Sequence, residues 1–454
     1  MQFDETLRYL LSLGHETSAI KLGLANTEAL LDALACAPEN SRAVQIAGTN
    51  GKGSTAAMLE AIARDAGIKT GLYTSPHLVS ITERIRIGGA EITRDEFARL
   101  ATRVRAASVE VERTTGSLPT FFEQVTAAAM LAFKEARVEL WIIETGLGGH
   151  LDATTAARSR FAAISPIALD HQEYLGHTLA EIAAQKAAII RRGLTLAACL
   201  APQLPEAEEV LRRYCADAGL EPRFATRDIR VEDTCDANGR LRVTFTTRRA
   251  TYERVCLSLR GRHQITNASL AVELAETLGE HGLPLAHANI VAGLERAVHA
   301  GRLELRAGVP PILFDGAHNT AGARALRDYL DEFVRAPVTF VFGAMRDKEI
   351  SKMAGILFSP GDRLILTRPD NPRAATPDEL LRALPFSLNS STITRAPSVA
   401  GALHVARALA PPRGLICITG SLYLVGEAKG LLDSPEQKNG SDGDEGGERA
   451  SLKI

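Results

Sequence analysis

Apolar and polar residues alternate in blocks along most of this chain. Short apolar runs of strand length take turns with stretches of helical period. Ala43–Ala47 is an apolar run that stops at Gly48, and the segment from about Gly53 to Ala66 continues with helical spacing. Lys69–Tyr73 reads as a strand. Thr93 with Glu96 forms a capping-box pattern that opens a helix to about Glu112, and Pro119 to about Ala136 is helical again. Val138–Glu144 and Phe161–Ser165 have strand length, and Leu179–Ile190 returns to helix. Apolar strands separated by helices predict a parallel sheet with both faces covered.

Between Leu241 and Leu259 the texture changes. LRVTFTT and YERVCLSL are β-rich with no helix between them, which predicts an antiparallel patch added to the main sheet. Helices are expected over about Gln264–His281 and Ala288–Ala300, and a second α/β series starts at Pro311 with the strands ILFD, VTFVFG, RLILT and LICIT. Gly301, Gly308 and nearby prolines place a linker at 301–310, between a first domain at 1–300 and a second at 311–433. From Ser434 the chain is polar and glycine-rich without apolar period, so 434–454 is expected to be a disordered tail.

Composition narrows the class. Of 454 residues, 45% are apolar and 23% charged, ordinary globular usage. Lys plus Arg number 52 and Asp plus Glu 54, so the net charge of −2 provides no field to hold nucleic acid. No apolar run reaches the ~18 residues of a membrane span, and MQFDETLRYL lacks the basic-then-apolar order of a signal peptide. A soluble, cytoplasmic protein is expected, with neither nucleic acid nor membrane as partner. Cys36, Cys199, Cys215, Cys235, Cys256 and Cys417 are scattered without a C-x-x-C pair, which argues against a disulfide framework or a zinc cluster.

Chemistry enters at GTNGKGS, residues Gly48, Thr49, Asn50, Gly51, Lys52, Gly53 and Ser54, directly after the strand VQIA and before a helix. Its glycines let backbone N–H groups turn inward at the positive end of a helix dipole, where a phosphate chain can sit. Lys52 can pair with phosphates and Ser54 can ligate Mg²⁺. The spacing departs from the usual G-x-x-x-x-G-K-[ST] loop because Gly53 separates Lys52 from Ser54. With this loop the expected fold is α/β: an N-terminal P-loop NTPase-like, mostly parallel sheet with a small antiparallel patch, then a smaller Rossmann-like domain.

GTNGKGS is similar to the variant P-loop of the Mur ligase superfamily, and the chain closely resembles the folylpolyglutamate synthase/dihydrofolate synthase family. The resemblance runs to about Gly430. It rests on SPHL at 75–78, ERIRI at 83–87, FFE at 121–123, ETGLGG at 144–149 and LDAT at 151–154. ALDHQEYLG at 168–176, TLAEIAAQKAAII at 178–190, HQITNASLA at 263–271, GRLE at 301–304, FDGAHN at 314–319 and TGSLYLVGE at 419–427 complete it.

The resemblance implies an ATP-dependent amide ligase that joins L-glutamate to dihydropteroate or to folates through an acyl phosphate, working as a monomer. It implies two Mg²⁺ ions, the first held by Ser75 and Glu144 and the second by Glu144 and His171, with Ser54 also at the metal. Lys186 would carry a carbamate, which requires a neutral and therefore buried amine. Asn267, Arg302 and Asp315 would contact ATP, and His318 and Asn319 would lie near the phosphates and the incoming amino acid. Leu22, Gly23, Phe121, Phe122 and Asp152 would meet the folate, with Glu123 catalytic beside its carboxylate. Four residues depart from the family pattern: His150, Thr155, Gln185 and Ala188.

Three other readings use the same loop. A cell-wall Mur ligase normally carries an extra N-terminal domain, but only some forty-five residues precede this P-loop, fewer than a domain needs. A nucleotide-dependent switch, or a degenerate member that binds without turnover, would lack pteroate- and glutamate-dependent phosphate release.

Overall fold

The structure is a computed structural model that describes residues 1–14, 23–36, 42–225, 228–236, 238–385, 388 and 390–434. Eight strands form the first sheet: β1 (Ala43–Ala47), β2 (Thr70–Tyr73), β3 (Ile85–Ile87), β4 (Ala90–Glu91), β5 (Leu140–Glu144), β6 (Phe161–Ile164), β7 (Ala197–Leu200) and β8 (Arg223–Phe224). Their order is β4-β3-β2-β5-β1-β6-β7-β8. From β2 to β8 all neighbours are parallel, and β3 and β4 are antiparallel edge strands. Alternate residues of a strand point to opposite faces, and both faces here are apolar. Leu140 and Ile142 of β5 join one core with Met58, Ile62, Leu270 and Leu274. Trp141 and Ile143 join the other with Phe97, Leu100, Met130 and Phe133.

The antiparallel patch differs from the expected one. Three strands, β9 (Asp228–Thr234), β10 (Leu241–Thr246) and β11 (Thr251–Cys256), form a separate sheet in the order β11-β10-β9. Leu241, Val243, Phe245, Tyr252 and Val255 bury its inner face in the same core as the helix His263–Glu280. Cys235 and Cys256, which follow and end its two outer strands, form a disulfide. The scattered cysteine spacing gave no sign of this pairing, because the strands meet only in the folded sheet. The other four cysteines are buried thiols.

The second body holds β12 (Glu304–Arg306), β13 (Ile312–Asp315), β14 (Val338–Phe342), β15 (Arg363–Leu366), β16 (Ile393–Arg395) and β17 (Leu415–Thr419), in the order β12-β13-β17-β14-β15-β16. All pairs are parallel except β12 with β13. The segment 301–310, expected as a linker, thus contains the edge strand of this sheet. Leu22 and, from residue 435 onward, the expected tail lie outside the described residues. Among the described residues no helix is long and apolar enough to cross a membrane.

Candidate active site

The parallel register brings distant residues to one sheet edge. Ile46 stands opposite Glu144, Tyr73 opposite Ile143, and Ala47 opposite Ile164. The carboxyl ends of β1, β2, β5 and β6 therefore deliver the GTNGKGS loop, Ser75, Glu144 and the segment leading to His171 to one place, where open α/β sheets bind ligands. The second body turns the corresponding ends of β13 and β14 toward it, with Asp315, His318 and Lys348. Between the bodies lies a cavity of about 630 Å³.

The loop fits a phosphate chain. Gly51 has φ of 90° and is the N-cap of the helix Lys52–Asp65. A side chain there would also strike the Asn267 amide, 2.1 Å from a Cβ. The N–H groups of Thr49 and Asn50 donate to the Pro166 carbonyl, at 3.1 and 3.2 Å. Lys52 Nζ donates to the carbonyls of Gly48 (3.3 Å) and Thr49 (3.2 Å), so it folds over the loop it would share with phosphates.

Glu144 is buried and accepts the Ser75 N–H at 3.2 Å. Burial pushes its carboxyl up, opposed chiefly by Lys52 and then by that N–H. A Cβ on Gly53 would lie 3.2 Å from Glu144 Oε2, so the carboxylate faces the loop. It forms no ion pair with a side chain among the described residues. A buried carboxylate of this kind, among oxygen donors and beside a phosphate loop, fits Mg²⁺, whose charge would offset the desolvation. Among the described residues no cluster of three or more His, Cys, Asp and Glu stands ready to hold a metal, so phosphate oxygens and waters would complete the shell.

Lys186 is 5% exposed and donates to the Gly48 carbonyl at 2.8 Å. Burial, then the nearby Lys52 charge, lowers its amine to about 7. His171 adopts a left-handed backbone (φ 50°) at the head of a short helix. Burial lowers it to about 4 against the pull of Asp170. Asp152, also buried, caps the turn Ala153–Ala157 and accepts the Leu147 N–H at 2.8 Å. Thr155, one of the four departures, accepts Gln45 Nε2 at 2.8 Å and donates to the Gly149 carbonyl at 2.6 Å. His150 is exposed.

The folate-side residues separate. Phe122 lies on the cavity and closes over Gly146. Gly23 borders the cavity too and donates its N–H to the Leu151 carbonyl at 3.3 Å. Phe121 instead packs under Arg84, whose guanidinium is 5.5 Å from its ring centre, beside a different cleft. Both Glu123 oxygens are engaged: one caps the helix Phe121–Glu135 through the Thr120 N–H (2.7 Å), and the other accepts from Thr27 (3.4 Å).

From the second body, Arg302 Nη1 donates to the Gly316 carbonyl at 3.3 Å and Asp315 accepts the N–H groups of Leu303 and Ala317, both at 3.0 Å. Burial raises Asp315, opposed first by Arg302. His318 Nδ1 is 2.8 Å from the Gly316 carbonyl, which assigns the proton to Nδ1 and leaves Nε2 free to accept; burial lowers this ring to about 4. Asn319 caps the helix Thr320–Phe333 and also donates Nδ2 to Asn50 (3.1 Å) and Asp170 (3.0 Å), across the cleft.

Sequence reasoning missed Asp170 and Lys348. They pair at 2.7 Å across the cleft, both nearly buried. Burial pushes Asp170 up, but Lys348, His171 and His318 together hold it well below the usual range. Asp170 sits beside His171 in ALDHQEYLG, and Lys348 follows the end of β14. Strand-end placement was the available signal for both. Buried Gln264 and half-buried His263 and His299, around Ser54 and Arg302, were missed as well.

Residues 46–275 match the Mur ligase middle domain, and residues 301–422 match the Mur ligase glutamate ligase domain. A dihydrofolate synthase/folylpolyglutamate synthase of Bacillus subtilis is 32% identical over 422 residues, covering 91% of this chain and 95% of that protein. A probable bifunctional folylpolyglutamate synthase/dihydropteroate synthase of Haloferax volcanii is 34% identical over 434 residues and 94% of this chain, which spans 50% of its length. Mycobacterium tuberculosis folylpolyglutamate synthase complexed with ADP superposes with a TM-score of 0.88 at 29% identity, covering 95% of this chain and 99% of that one. A bifunctional folylpolyglutamate synthase/dihydrofolate synthase with Mn, AMPPNP and L-glutamate bound gives 0.81 at 28% identity, covering 96% and 98%. With both its bodies matched and more than nine-tenths of its length covered, the chain belongs to the folylpolyglutamate synthase/dihydrofolate synthase family of Mur ligases.

Proposed function

We propose that this protein uses ATP to join the amine of L-glutamate to a carboxylate of dihydropteroate, of folylglutamates, or of both. One observation carries the reading. A single cavity gathers the phosphate loop, Glu144 and Lys186 from one body and Arg302, Asp315 and His318 from the other. Nucleotide between the bodies would meet loop N–H groups on one side and Arg302 on the other. Its relatives are named for folate ligation, and one is solved with Mn, a nucleotide analogue and L-glutamate.

In the first step a carboxylate oxygen of the acceptor attacks the γ-phosphorus and ADP leaves. In the second the glutamate amine attacks the acyl carbon and phosphate leaves with the bridging oxygen. Lys52 and Arg302 balance charge on the transferring group. His318, neutral by burial and with Nδ1–H tied to the Gly316 carbonyl, offers Nε2 to the proton shed by the amine. Asp170, 3.7 Å from Nε2, stabilises the imidazolium that results. Two Mg²⁺ ions, which Ser54, Ser75, Glu144 and His171 would hold, would supply charge neutralisation for the phosphates. A carbamate on Lys186 would add an anion beside them, and the lowered amine supports it. Asp152, Gly23 and Phe122 would position the pteroate.

Acceptor labelled with ¹⁸O in its carboxylate tests the chemistry. One labelled oxygen in the released phosphate is expected, whereas unlabelled phosphate accompanied by glutamylated product would rule out the acyl phosphate.

A further inference from the structure

A chain of hydrogen bonds with a fixed direction ends on the hydroxyl of Ser54. Asn267 Nδ2 donates to Gln264 Oε1 at 2.9 Å, which turns the Gln264 amino group toward Ser54. Gln264 Nε2 then donates to Ser54 Oγ at 3.3 Å. The remaining contact of Ser54 Oγ is His299 Nδ1, at 3.0 Å. With one lone pair of the hydroxyl taken by Gln264 and the other given to a cation in the cavity, its own hydrogen goes to His299 Nδ1. His299 is thereby fixed as the tautomer that carries its proton on Nε2. One lone pair of Ser54 is left, and it faces the cavity.

His299 has little freedom to do otherwise. Its ring lies over Gly53, where a Cβ would come within 2.8 Å of Cε1 and 2.9 Å of Nε2. Gln264 and Asn267 are both buried. Ser54 is itself 3% exposed, so its hydroxyl has few partners beyond Gln264, His299 and the cavity. Without an acceptor at position 299 the hydroxyl would rotate, and it would present its hydrogen to the cavity for part of the time. A hydrogen aimed at a cation repels it, whereas a lone pair ligates it.

We propose that His299 is a positioning residue that locks the Ser54 hydroxyl as a metal-facing acceptor, with Gln264 and Asn267 fixing the sense of the lock. The inference rests on the reading of the loop as a Mg²⁺-nucleotide site. It adds a residue outside the motif, from the segment just before Gly301 and Arg302. The role would tie the geometry of the phosphate loop to the chain that leads into the second body.

The test is calorimetric titration of the full chain with ADP, with and without Mg²⁺. Wild-type protein that binds no ADP would overturn the nucleotide reading itself. Given binding, the quantity read is the factor by which Mg²⁺ tightens ADP. His299→Phe keeps ring volume and removes the acceptor, and should cut that factor about 10–100-fold, the usual cost of losing a partner behind a ligand. His299→Asn restores an acceptor near the Nδ1 position and should recover most of it. In turnover assays His299→Phe should raise KM for Mg·ATP more than it lowers kcat. In a Ser54→Ala background, His299→Phe should change nothing further. An unchanged Mg²⁺ factor in His299→Phe, an equal loss in His299→Asn, or a full effect persisting without the Ser54 hydroxyl would each overturn the proposal. If His299→Phe does not fold, His299→Leu takes its place in the same cycle, with the same expected and contrary results.

Discussion

A lysine amine at about 7 behaves differently from one in solvent. Roughly half of Lys186 is neutral at pH 7, against well under a thousandth for an ordinary lysine. Only the neutral amine adds CO₂. Bicarbonate should therefore stimulate turnover above pH 7, and the stimulation should fade as pH falls through 7 and the amine protonates. Carbon-13 NMR with labelled bicarbonate should show a carbamate signal that Lys186→Ala lacks; no signal at pH 8 would remove the carbamate. Lys52 makes a second residue-scale case. It lies across the loop without ion-pairing to an acid among the described residues. Lys52→Ala should lower kcat about 10²–10³-fold, as for loss of one charge-stabilising contact. Its thermal midpoint should hardly move, and a variant with half the wild-type turnover would contradict the phosphate role.

At the scale of elements, Asn319 serves two ends at once. Its Oδ1 caps the helix Thr320–Phe333 through the Gly322 N–H at 2.8 Å, while its Nδ2 reaches Asn50 and Asp170 on the other body. Asp caps as well as Asn does, but it has no Nδ2 donor and would face Asp170. Asn319→Asp should thus keep the cap but lose activity and lower the thermal midpoint, because two nearly buried carboxylates would face each other. Asn319→Ala should lose activity together with about 1 kcal/mol of stability from the cap. Equal activity in Asn319→Asp and wild type would show that the cap alone matters. The sequence reading could see Asn319 as a cap and the resemblance could place it near the phosphates, but the partners on the other body were not readable. The elements themselves were legible where apolar content was dense. AVQIA and LWIIE form β1 and β5 because every residue of each is buried. β9, with Ile229 and Val231 as its apolar residues among Asp, Arg, Glu and Thr, carries too weak an alternation to be seen. β12 is only three residues long and takes its identity from pairing with β13.

For the whole molecule the hidden feature was the cluster across the cleft. Asp170 and Lys348 are 178 residues apart in sequence, and no local pattern links them. Their pairing, with Asn319 and His318 alongside, holds the bodies together over the cavity, and ligation requires that closure to exclude water. Lys348→Met should leave Asp170 short of a partner, shift the molecule toward an open arrangement and raise its radius of gyration in small-angle scattering, with a higher KM for the substrates. Scattering and kinetics identical to wild type would show that the pair does not hold the cleft. If the cleft unites three substrates, ADP formation must depend on all of them. With Mg·ATP present, dihydropteroate, tetrahydrofolate and L-glutamate are supplied singly and as acceptor–glutamate pairs. Sustained ADP release is expected only when glutamate accompanies at least one of the two acceptors. Release at the same rate with neither substrate, or none with either pair, would contradict it.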